Sequence, residues 1–140
     1  MTVTFFGHSD APLTLRPLLR RVIEKLIIED KADRFLVGNH GAFDSMTKHT
    51  LTALQVDYSH IDYAVVLAYL PTDNYDSPTI YPEGLEKVPH RFAICKRNEW
   101  MIEQSDIVVT YVTRGFGGAA RFKQQAERIG KRVINLANKE

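Results

Sequence analysis

The chain has 140 residues, 44% hydrophobic and 25% charged, the mix of a soluble globular protein with enough length for a real core. Its net charge of +1 supplies no extended field to draw DNA or an anionic membrane surface, and no apolar run approaches the length of a bilayer span. The single cysteine, Cys95, excludes an intramolecular disulfide and fits a reducing cytoplasm, and the first residues show neither the basic region nor the cleavage site of a signal peptide.

Strand and helix signals alternate along the chain. Val3-Thr4-Phe5-Phe6 is a short β-rich run ending at Gly7. Residues 15–29 carry Leu15, Leu18, Leu19, Val22, Ile23, Leu26 and Ile27 at helical spacing. Residues 34–37 read as a second strand stopped by Gly38, and residues 45–55 as a helix capped by Asp44 or Ser45. Residues 63–70 form an almost continuous apolar run, as expected of a strand buried on both faces. Residues 71–89 are rich in Pro, Asp, Asn, Ser and Tyr and read as a long surface excursion, either a lid or a variable loop. A helix over 92–104, a fourth strand over 107–112, a helix over 119–129 closed by Gly130 and a last strand over 132–136 complete the chain. This alternation predicts an α/β fold: a Rossmann-like three-layer sandwich with a mainly parallel sheet of about five strands. No repeat or linker interrupts it, so residues 1–140 are expected to form a single domain.

Ligands in such sheets bind beyond the carboxyl ends of the strands, and distant motifs converge on that edge. The sharpest follows the fourth strand: Thr113-Arg114-Gly115-Phe116-Gly117-Gly118-Ala119-Ala120-Arg121. A strand feeding a glycine-rich turn and then a helix suits phosphate, because glycine admits the anion close to backbone amides at the helix start. Gly117→Asp is therefore expected to remove the site and leave the fold. The first strand ends in Gly7-His8, where His8 is either a solvated turn residue or a hydrogen-bonding or acid/base group. The second ends in Gly38-Asn39-His40-Gly41, followed by Asp44, which either caps the helix or meets a ribose hydroxyl. Lys96, Arg97 and Asn98 offer charge and donors for phosphate, or are simply a solvated helix face. The excursion adds Asp73, Tyr75, Asp76, Tyr81 and Glu83; Tyr81 or Phe116 is placed to stack on a base. His8, Asp44 and Glu83 are the acid/base candidates. Cys95, beside Phe92 and Ile94, reads as a packed thiol, and the His residues show no metal-ligand spacing.

Several of these blocks together resemble the SLOG superfamily: Phe5-Phe6-Gly7-His8, Gly38-Asn39-His40-Gly41-Ala42-Phe43-Asp44, Lys96-Arg97-Asn98-Glu99-Trp100-Met101-Ile102, Ser105-Asp106-Ile107-Val108-Val109, Gly117-Gly118 and Val133-Ile134-Asn135-Leu136. That superfamily unites DprA-like proteins, LOG-type enzymes and small stand-alone proteins of the YpsA kind, and the resemblance is to the stand-alone class. It implies a Rossmann-like fold holding nucleotides or nucleotide-derived ligands at this edge. LOG-type enzymes cleave the N-glycosidic bond of nucleoside monophosphates and carry Pro-Gly-Gly-x-Gly-Thr-x-x-Glu. Laid on this chain, Gly115 and Gly117 match glycines, while Thr113, Gly118 and Arg121 replace the proline, threonine and glutamate. Glycosidic cleavage builds positive charge on the ribose, which a carboxylate stabilises and an arginine opposes. YpsA-like relatives carry Gly-His-Arg after the first strand; here Ser9 stands in place of the arginine.

Two functions are expected. One is a binding module that senses, carries or sequesters a nucleotide or an ADP-ribose-like ligand, with Lys96, Arg97 and Arg121 neutralising phosphate and no resident cofactor. The other is a hydrolase cutting a glycosidic or phosphate bond. DNA binding is disfavoured by the neutral charge. A homodimer is the expected assembly, with Leu51, Leu54 and Trp100 as spare apolar positions.

Overall fold

The computed structural model describes residues 1–70 and 77–138. The excursion residues Asp73, Tyr75 and Asp76 lie outside the described residues. In chain order the elements are β1 (Thr2–Gly7), α1 (Arg16–Glu29), β2 (Arg34–Val37), α2 (Ala42–Asp57), β3 (Asp62–Val66), β4 (Thr79–Ile80), α3 (Ala93–Gln104), β5 (Ile107–Tyr111), α4 (Gly118–Arg128) and β6 (Arg132–Asn135). The strands form one six-stranded sheet in the order β4-β3-β2-β1-β5-β6, and every pairing is parallel. This is an α/β, Rossmann-like fold.

Alternation along β1 sorts side chains onto two faces. Val3 and Phe5 join Leu19, Ile23 and Leu26 of α1 and Met46, Leu51 and Leu54 of α2 in one buried cluster. Phe6 joins Met101 and Ile102 of α3 and Phe122 and Ala126 of α4 in another. Helices therefore cover both faces, which is what strands apolar on both sides require. Leu51 and Leu54 are fully buried in the first cluster, and half-buried Trp100 packs against the second. The two leucines are core residues rather than spare surface.

The sheet has one strand more than the five expected. Thr79 and Ile80 pair with Val65 and Val66 inside the segment read as a loop, and two residues leave no periodicity to read. Strand β3 ends at Val66, four residues short of the expected end. Helix α2 begins at Ala42, because Gly41 takes the capping position; Asp44 is inside the first turn and caps nothing. Helix α4 closes as read: Gly130 has φ 83, its amide reaches Glu127 O at 3.1 Å, and the Lys131 amide reaches Ala126 O at 3.0 Å, a Schellman pattern. Among the described residues no helix is long and apolar enough to cross a membrane.

The chain runs outward from β1 through β2 and β3 to β4, then returns to place β5 on the other side of β1. That reversal puts a crevice at the carboxyl ends of β1 and β5, between helices that leave in opposite directions.

Candidate functional site

Two helices open onto this crevice in the same manner. Gly41 before α2 has φ 93 and ψ 177, and Gly117 before α4 has φ 94 and ψ 174. This backbone region is essentially restricted to glycine, and neither helix has a side-chain cap. At Gly41 a Cβ would also press on Ser9 at 2.7 Å, because the Ser9 carbonyl accepts the Ala42 amide at 2.8 Å and ties the loops after β1 and β2 together. The start of α4 has no such tie. Among the described residues no acceptor meets the amides of Gly118 and Ala119. The backbone also corrects one expectation. An aspartate at Gly117 strains the helix start itself, whereas Gly118 has ordinary φ and, among the described residues, nothing within 4 Å of an added Cβ.

A cleft of about 180 Å3 lies between these elements. Phe5, Phe6, Met101 and Phe122 line it with apolar surface, Gly118 and Ala119 from α4, Arg97 and Asn98 from α3, and Gly7, Gly38 and Asp44 from the sheet edge and α2. Arg97 is the charged centre, at 4% exposure. Its Nε donates to Asn98 Oδ1 at 2.8 Å, and its Nη1 donates to Asn39 Oδ1 at 2.9 Å and to Val66 O at 3.2 Å. Its Nη2 makes no hydrogen bond among the described residues. Burial works against the guanidinium charge, and the nearby Asp44 carboxylate supports it.

Asp44 shares the wall with Arg97. Its Oδ2 accepts the His40 amide at 2.9 Å and lies 2.6 Å from where a Gly38 side chain would begin, so glycine at 38 makes room for the carboxylate. Burial pushes the Asp44 carboxyl from 3.8 up to about 6, against the His40 hydrogen bond and the attraction of Arg97 and His40. The folded protein therefore keeps this proton to higher pH than the unfolded chain. Stability falls as pH rises from about 4 to 6, and the full cost of the buried charge is present above that window. Asp44→Asn is expected to be more stable than the parent at pH 7.5 by about 1–3 kcal/mol, with the gain vanishing toward pH 4. Urea unfolding at both pH values measures this; a gain independent of pH contradicts it.

His8 holds the turn after β5. Its Nε2 accepts the Thr113 amide at 3.0 Å, its own amide donates to Tyr111 O at 3.3 Å, and its ring meets Tyr111 edge-on. Burial first, and the Arg114 charge second, lower its pKa, against the pull of Asp10. The imidazole is thus neutral, with its acceptor nitrogen occupied by the turn. Asn135 secures the same turn from the other side: its Oδ1 accepts the Val112 amide and its Nδ2 donates to the Val112 carbonyl, both at 3.0 Å. The sequence reading missed this role. Its signal is an amide side chain ending β6 directly beside the end of β5, able to continue the ladder by one step.

The remaining candidates are dispersed. Lys96 points away from Arg97, exposed and paired with Glu99 at 3.2 Å, as adjacent helix positions require. Cys95 is half-buried, its Sγ 3.7 Å from Glu99 Oε1. Gly115 is exposed, as is Phe116 at 69%, with Arg114 over the Phe116 ring. Arg121 is exposed above the Phe122 ring. Tyr81 packs on the first core cluster and lines a separate hollow with Tyr69 and Leu85. Glu83 is exposed and does not line the cleft. Of the three acid/base candidates, Asp44 alone lines it.

The fold is similar to that of DNA processing protein A. For the Streptococcus pneumoniae protein (DprA) the TM-score is 0.68 at 16% sequence identity, over 94% of this chain and 48% of that one. The chain thus spans about half the length of that protein. The likeness is one of fold. No family model matches the chain, and no curated protein matches it.

Proposed function

We propose that the protein binds a nucleotide or nucleotide-derived ligand with its phosphate between Arg97 and the opening amides of α4, and acts as a sensor, carrier or sequestering protein. One observation carries this reading. A buried guanidinium with an unengaged Nη2 faces, across one cleft, a helix start whose amides have no acceptor among the described residues. Both features favour an oxyanion, and arginine matches phosphate geometry. Membership of the SLOG superfamily, in its stand-alone YpsA-like class, belongs to this proposal; the sequence blocks and the likeness in fold to DprA support it. A single domain, a cytoplasmic location, a homodimer and the lack of a required cofactor belong to the same proposal. The DprA name speaks of DNA processing, but a net charge of +1 favours a small ligand here.

A second reading has its own support. Asp44 is a carboxyl raised to about 6 beside an arginine in the cleft, the environment of a group that transfers protons near neutral pH. This favours a hydrolase acting on a glycosidic or phosphate bond.

Thermal-shift measurements with AMP, ADP, ADP-ribose, NAD and cyclic nucleotides, each mixture then separated by chromatography, decide between them. A ligand present at a hundred times its Kd stabilises the native state by about 2.7 kcal/mol, a readily measured shift. Stabilisation with the ligand recovered intact is the expected result. A product peak favours the hydrolase, and no shift with any compound overturns both.

A further inference from the structure

We propose that the cleft continues into a second anion subsite at Lys48, so that the ligand is a ribose carrying an anionic group at each end with its 2,3-diol free. This rests on the phosphate reading above. The cleft is about 180 Å3, below the roughly 300 Å3 at which ligand pockets begin, so it takes a phosphate and little more. The rest of the ligand lies in the adjoining hollow of about 320 Å3, which shares Gly38 and Asp44 with the cleft.

Lys48, Ser45 and Asn39 line that hollow over a floor of Val65. Lys48 is half-buried, one helical turn after Asp44. Its ammonium makes no ion pair or hydrogen bond among the described residues, whereas Lys25, Lys96 and Lys123 each pair with a glutamate along their own helix. A cation partly withdrawn from water on the wall of a hollow is completed by an anion. The order of groups then reads across the site: Arg97 at one end, Asp44 on the shared wall, Lys48 at the other. The His40 amide engages Oδ2 of Asp44, and Oδ1 is the carboxyl oxygen suited to accept hydroxyl hydrogens. A carboxylate between two cations fits a diol flanked by two anions; it repels an anion placed directly over it.

Calorimetric titration of the full chain with ribose 5-phosphate, phosphoribosyl pyrophosphate and AMP tests this at fixed ionic strength. Phosphoribosyl pyrophosphate, with an anionic group at each end, is expected to bind at least about tenfold more tightly than ribose 5-phosphate. Lys48→Met keeps an unbranched side chain, one atom shorter and uncharged, and is expected to erase that advantage while leaving AMP affinity within about twofold; its melting curve verifies the fold. Equal affinity for the two sugars, or an equal loss for AMP and phosphoribosyl pyrophosphate in Lys48→Met, overturns the second subsite and leaves the Arg97 site standing. Failure of all three to bind overturns the phosphate reading itself.

Discussion

Gly118→Asp is expected to abolish nucleotide binding while the melting temperature stays level or rises. Gly118 is the first residue of α4, its φ is ordinary, and among the described residues an added Cβ meets nothing within 4 Å. A carboxylate in the first turn is favourable by about 0.3–1 kcal/mol through the helix dipole. On the wall of the cleft the same charge occupies the place of the phosphate and competes for Arg97. Affinity is expected to fall at least about a hundredfold, near the detection limit of calorimetry for a micromolar ligand. Gly118→Asn, similar in shape and uncharged, is expected to lose much less. Unchanged affinity in a folded Gly118→Asp protein would falsify the placement of the anion at α4. Gly117 cannot serve for this test, because its φ of 94 ties any substitution there to strain in the helix start.

The second large effect is on stability. Gly7 ends β1, and a Cβ there would overlap the Phe43 ring. Phe43 is fully buried in the first core cluster, so the ring has nowhere to move. Gly7→Ala, a change of one methyl group, is expected to cost about 3 kcal/mol, the upper end of overpacking. For a chain of this length that lowers Tm by on the order of 10 °C. Adding Phe43→Leu to Gly7→Ala makes room and is expected to recover part of the loss; denaturant unfolding of the single and double variants measures the coupling. A single variant that melts with the parent contradicts the packing. The requirement for glycine at position 7 is therefore one of packing.

The order of strands and helices was legible because each element carries its own period. Leu19, Val22, Ile23, Leu26 and Ile27 face the core as their spacing predicts, and Val65 and Val66 are buried in a parallel strand. Strand β4 was not legible, since two residues among prolines acquire strand character only from their neighbour β3. The edge bearing the site could be read from glycines at three strand ends. The roles within it could not. Lys96 and Arg97 are equal in sequence, yet one helical step of about 100° separates an exposed ion pair from a buried guanidinium. Lys48 sits in a helix without any motif and gains meaning from the hollow it lines. His8 and Asn135 act through backbone amides of a distant turn, contacts that no local pattern announces.

The parallel sheet also dictates when the site can exist during folding. β1 pairs with β5 from Val3↔Ile107 to Gly7↔Tyr111, a separation of more than a hundred residues. Until β5 is made, β1 keeps one edge open, β2 and β3 can add only to the other, and Arg97 has no α4 amides to face. On the ribosome the cleft is thus among the last features to form. An anion bridging Arg97 and α4 links elements that meet only once β5 has paired, so its presence should slow unfolding more than it speeds folding.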